Sequence, residues 1–171
     1  MKKWIAVFWT VGLAGGADLS PRSVGLRFGA SATSIDDLYT QIETVLRWEL
    51  HRPLDFGGSW WGRTDVDFSL GPLTGRGNTG LIASLGPLFE AGRKGCPVSL
   101  VLGISPTFLG LRHYDQDDFG SHLQLTSHAG FNIALGHGWS LGYRFQHMSN
   151  AHLGDSNPGL NLHVLTLMLR L

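Results

Sequence analysis

Eight stretches of this 171-residue chain alternate apolar and polar side chains, and the alternation reaches the last residue. A period of two belongs to β-strands whose two faces meet different surroundings. The runs lie near 23–31, 39–50, 59–70, 78–91, 97–111 and 119–135, then a seventh ending at 149, then 160–171. In the second, Ile42, Thr44, Leu46, Trp48 and Leu50 oppose Gln41, Glu43, Arg47 and Glu49. The sixth is the clearest: Leu123, Leu125, Ala129, Phe131, Ile133 and Leu135 alternate with His122, Gln124, Thr126, His128 and Asn132. Most runs exceed the roughly five or six residues of a soluble strand. They match the about 9–11 that a tilted strand needs to cross a bilayer. No stretch of about 18 apolar residues is present, which argues against a helical membrane protein.

Two architectures give this pattern. A soluble carrier barrel puts the apolar face inside, whereas a membrane barrel turns it toward lipid and keeps a polar interior. The polar face carries Arg27, Glu43, Arg47, Glu49, Arg63, Asp65, Asp67, Glu90, Arg144 and Arg170, both signs in near balance, as an internal salt-bridge network requires. Charged residues make up 15% of the chain, against roughly 25% in soluble domains, and 24 Gly and six Trp accompany them. Lys2 and Lys3, the apolar run from Trp4 to Leu13, and Gly15-Gly16-Ala17 read as an export signal covering 1–17. The expectation is therefore an all-β, eight-stranded antiparallel transmembrane barrel of the bacterial outer membrane, one domain over 18–171. Zero net charge gives no field for nucleic acid. The single Cys96 has no intrachain partner. A homodimer is compatible with the sequence but not called for by it.

With both chain ends on the inner side, the outer connections fall near 32–38, 71–77, 112–118 and 151–159. The inner turns include Gly136-His137-Gly138. Trp48, Trp60, Trp61 and Trp139 cluster near those inner turns, where an aromatic belt sits, although Trp61 points away from Trp60.

The chemistry sits at the end of the seventh run. Leu141, Tyr143, Phe145, His147 and Ser149 share one face, apolar until its last two members. A nucleophile with a base beside it is the minimum for covalent acyl transfer. An ionisable side chain on a lipid face is expensive and marks function. Asn161 opens the eighth run on the same face, so His147, Ser149 and Asn161 converge at the height of the outer headgroups. Such a site meets a membrane lipid, which suggests an esterase. His163 shares this face as decoration. His122 and His128 read as interior hydrogen bonders, since no third ligand has metal-site spacing. His152 and the run Asp115-Gln116-Asp117-Asp118 read as solvated loop.

The segment His147-Met148-Ser149-Asn150-Ala151, followed by Asn157-Pro158-Gly159-Leu160, resembles the signature of the lipid A 3-O-deacylase family. The resemblance is concentrated in the last thirty residues. It implies an eight-stranded outer-membrane barrel that hydrolyses the acyl ester at position 3 of lipid A, the lipid anchor of lipopolysaccharide, with no metal or other cofactor. It implies Ser149 as nucleophile, His147 as general base and Asn150 as an oxyanion donor. The family carries an acid where this chain has Asn161. Three readings follow: a weaker Ser-His-Asn triad, an acid supplied by Asp155, or an inactive relative. We adopt the first. The competing functions are a structural or adhesive barrel without chemistry and a soluble ligand carrier.

Overall fold

The computed structural model describes residues 20–32, 39–50, 53–151, 154 and 156–171. The segment read as an export signal, the first outer connection, His152 and Asp155 lie outside the described residues. Eight long strands form the wall: β1 (Ser23–Ser31), β2 (Thr40–Glu49), β3 (Trp60–Gly75), β4 (Asn78–Arg93), β5 (Val98–Leu109), β6 (Leu123–Gly136), β7 (Trp139–Ser149) and β8 (Leu160–Arg170). Each pairs antiparallel with its neighbours in the chain, and β1 pairs with β8. The eight long strands close on themselves, which lets them satisfy their backbones away from water, and the two-residue stretch Leu54–Asp55 adds a short pairing to Gly62 and Trp61.

The faces are turned as a membrane barrel requires. Leu26, Phe28, Ile42, Leu85, Leu100, Leu102, Phe145 and Leu165 point outward and are exposed. Arg27, Glu43, Arg47, Asp67, Glu90 and Arg144 point inward and are buried. A soluble carrier needs the opposite arrangement, so that reading falls. Most of these interior charges pair, while Arg144 instead donates to His128 and Thr166. Arg27 reaches Asp67 at 3.0 Å and Glu43 at 3.3 Å, and Arg47 reaches the other Asp67 oxygen at 3.0 Å. Gln41 and Ser69 also donate to Glu43. Arg170, expected in this network, instead sits at the inner rim, 3.9 Å from Glu49. Beyond the charged layer the inner end opens into a cavity of about 280 Å³, lined in part by Arg63, Asp65, Glu90 and Trp61. Trp61 therefore faces the lumen, while Trp60 faces out and Trp139 is exposed at the mouth of the same cavity.

Removing one partner of a buried ion cluster strands the others. Asp67→Ala leaves Arg27 and Arg47 short of a counter-charge, so we expect about 3–5 kcal/mol lower stability. The urea midpoint of the detergent-folded barrel measures this; a shift worth under about 1 kcal/mol would show that the cluster is dispensable.

The outer end is closed differently. Tyr39, Leu73, Ile82, Leu109, Tyr114, Phe119, Met148, Leu160, Leu162 and Val164 form a buried apolar cluster. Tyr39, Tyr114 and Phe119 meet edge to face, with ring centroids 5.6 to 5.9 Å apart. The lumen is thus greasy at one end and charged below it.

The structure differs from expectation at one connection and at one histidine. The span 71–77, read as a loop from its Gly and Pro, is mostly strand. β3 continues to Gly75, and Arg76 and Gly77, both at positive φ (46° and 77°), make a two-residue hairpin. Pro72, which has no N–H to give, falls where the β2–β3 ladder skips between its Gln41↔Leu73 and Thr44↔Leu70 pairings. There a Cβ on Gly71 would lie 1.8 Å from the Ile42 carbonyl oxygen, so only Gly fits. His122 does not share the interior with His128. It precedes β6 and stacks on outward Phe108 with centroids 5.9 Å apart, while His128 accepts from Arg144 at 3.1 Å.

Candidate active site

The β7–β8 register sets His147 opposite Asn161 and Phe145 opposite His163. Directly paired residues on one face have Cβ atoms about 4.5–5.5 Å apart, so His147 and Asn161 can touch. They do: His147 Nδ1 and Asn161 Oδ1 are 2.8 Å apart. A carboxamide oxygen only accepts, so Nδ1 donates to Asn161, and in the neutral ring that leaves Nε2 as the acceptor. That is the tautomer a general base needs.

The turn before β8 fixes the ring. Gly159 has φ +67°, and a Cβ placed there would lie 3.3 Å from His147 Cε1. The Cε1 corner of the imidazole therefore faces the Gly159 turn. Ser149 stands on the outer rim, the last residue of β7 and half-buried on the same outward face. Two residues on, Ala151 takes φ +51°, which turns the chain sharply away from the strand. Gly159→Ala strains the backbone by roughly 1–2 kcal/mol and crowds the imidazole. We expect kcat to fall between about 10- and 100-fold in a folded barrel, because small misplacement of a reacting group is costly. An unchanged kcat would show that the Gly159 turn does not position the ring.

Asn150 departs from its expected role. Alternation along β7 turns it inward, and it is 1% exposed. Its amide group donates to the Phe119 carbonyl at 3.0 Å and to the Ser156 carbonyl at 2.6 Å. Its backbone N–H donates to Asn157 Oδ1 at 3.1 Å. Both side-chain protons are committed to backbone, so this geometry does not offer them to an oxyanion.

Sequence reasoning missed one neighbour of the site and one contact beside it. Ser127 of β6 lies opposite His147 on the other flank and is exposed, which makes it a second hydroxyl within reach of the imidazole by register. The signal was present, since Ser127 sits between Leu125 and Ala129 on the outward face of the sixth run. The contact is the pair formed by Tyr143 Oη and His163 Nδ1, 2.8 Å apart, with Phe145 edge-on to His163 at 5.7 Å. These polar atoms on an apolar face satisfy one another.

Elsewhere on the same end of the barrel, charge ties the start of β2 to the β3–β4 turn and the β5–β6 connection. Asp117 Oδ2 accepts from Tyr39 Oη at 2.7 Å and from Arg76 Nε at 2.7 Å. Partial burial opposes ionisation of Asp117, but these two donors outweigh it and hold the carboxyl below its usual range. Burial, and then the Asp117 carboxylate, push the Tyr39 hydroxyl above its usual value.

Fold and rim together define the class: a closed eight-stranded antiparallel barrel whose outward apolar face ends in a hydrogen-bonded His–Asn pair with serines beside it. The family model for lipid A 3-O-deacylase (PagL) matches residues 38–170. The chain belongs to that family of ester hydrolases. The fold is shared with a solved structure described as the outer membrane enzyme PagL: TM-score 0.75, 20% identity, covering 87% of this chain and 99% of that one. No curated protein matches the chain in sequence.

Proposed function

We propose that this chain sits in the bacterial outer membrane and removes the ester-linked acyl chain at position 3 of lipid A, with Ser149 as nucleophile. The observation that carries the reading is the 2.8 Å His147–Asn161 pair on the outward face. A structural barrel has no use for an oriented imidazole there, and burying polar groups against lipid is costly. His147 Nε2 takes the Ser149 proton as the hydroxyl attacks the ester carbonyl. The tetrahedral intermediate collapses, its C–O bond to the sugar breaks, and His147 returns the proton to the departing sugar hydroxyl. Water, activated by the same imidazole, then cleaves the acyl-serine and releases the fatty acid. Asn161 fixes the tautomer without adding a negative charge, which makes this a slower variant of a Ser-His-acid site.

The second reading, an inactive structural barrel, draws on that same neutral Asn161. Incubation of the detergent-folded protein with purified lipid A, followed by mass spectrometry, separates the two. The esterase releases one hydroxyacyl chain as free acid. An unchanged lipid A mass after prolonged incubation supports the structural barrel instead.

A further inference from the structure

Three observations join the connection between β5 and β6 to the candidate site, although 31 residues separate Phe119 from Asn150. First, Asn150 bridges two loops, donating to Phe119 of that connection and to Ser156 of the connection after β7. Second, the two backbones touch. Gly120 has φ +71°, and a Cβ on it would lie 2.1 Å from the Ser156 oxygen; a Cβ on Gly154 would lie 2.6 Å from the Gly120 oxygen. Third, the β5–β6 connection is itself built as a platform. Tyr114 and Phe119 plug the apolar mouth of the barrel, and Asp118 Oδ1 accepts from the Gly120 N–H at 2.8 Å. Phe119 N–H donates to the Arg112 carbonyl at 2.8 Å, closing the loop on itself.

We propose that Asn150 is a positioning residue, a clamp through which the β5–β6 platform holds residues 150–151 and 156–159, and with them the Ser149 end of β7 and the Gly159 face against His147. Asn150 acts through the Phe119 and Ser156 carbonyls, and the platform is part of the catalytic apparatus without touching substrate. Its amide group suits this work: two N–H donors on one planar group span two carbonyls, and neither Asp nor Ser can do the same. The inference rests on the esterase reading of this rim.

A double-mutant cycle on the full chain tests it. Gly120→Ala and Asn150→Ala cut the same clamp from opposite sides. Each is expected to lower kcat on purified lipid A by about 10- to 100-fold. The double variant is expected to be no more than about twofold worse than the poorer single variant, because coupled residues fail together. A Gly120→Ala enzyme with unchanged kcat would overturn the proposal. So would losses that multiply in the double variant, for then Asn150 acts on the reacting centre independently of the platform. If Gly120→Ala does not fold into a heat-modifiable barrel, Gly154→Ala presses on the same contact and is read the same way. Limited proteolysis within 151–159 gives a readout that needs no turnover: faster cleavage is expected in each single variant, and cleavage at the wild-type rate in both would also overturn the clamp. Inactivity of the wild-type protein would sink the esterase reading and with it the catalytic role of the clamp, while the proteolysis result would still show whether Asn150 holds the two connections together.

Discussion

Ser149→Ala lowers deacylation of lipid A by on the order of 10⁴-fold or more, while the barrel still folds and still shifts on heating. Removing a nucleophile removes the covalent route, and what is left is the modest rate that binding and oxyanion contacts alone support. His147→Ala falls to a similar level. The double variant is scarcely worse than either, because nucleophile and base work as one unit. Ser127→Ala is the internal control: it stands opposite the same imidazole and is expected to keep its rate within about twofold if Ser149 is the nucleophile. Rates on lipid A with each variant, normalised to folded protein, decide the matter. Substantial activity in Ser149→Ala would contradict the assignment.

The second large effect comes from Asn161, and it runs both ways. Asn161→Leu frees the imidazole and removes the acceptor that holds its proton on Nδ1. A wrong tautomer at the corresponding place in serine proteases costs about 10⁴-fold, so a loss of about 10²- to 10⁴-fold is expected here. Asn161→Asp keeps the shape and adds the charge. A hydrogen bond to a charged partner is worth roughly 1 kcal/mol more than a neutral one, and that bond tightens as the imidazolium forms. The expected gain in kcat is about five- to tenfold. Single-turnover rates on lipid A check both. If Asn161→Leu matches the wild type, Asn161 is not the third member of the site.

Much of this architecture was legible because alternation is a strict rule where one face meets lipid. Arg27, Glu43 and Asp67 fall on the inner face by counting in twos, and their ion pairs follow once the barrel closes. His147 and Asn161 fall outward by the same count. Their contact required the β7–β8 register, which the long connection between them leaves unfixed in sequence. The same counting also turns Asn150 inward, opposite Ser149, yet the motif's expected chemistry pointed elsewhere. Its partners Phe119 and Ser156 are backbone carbonyls, which carry no residue-type signal at all. The span 71–77 misled for a local reason: Gly71 and Pro72 are loop residues by habit, but here they sit at a gap in the β2–β3 pairing, in unbroken register, inside a strand that continues to Gly75.

The central claim is that an outward-facing Ser149, activated by His147, attacks a lipid ester. An alkyl fluorophosphonate tests it most directly, since it traps the activated serine as a stable covalent adduct that peptide mass spectrometry locates. The account predicts one adduct, on Ser149, forming in step with loss of lipid A deacylation and absent in His147→Ala. An adduct on Ser127, or full activity after Ser149 is modified, would contradict it.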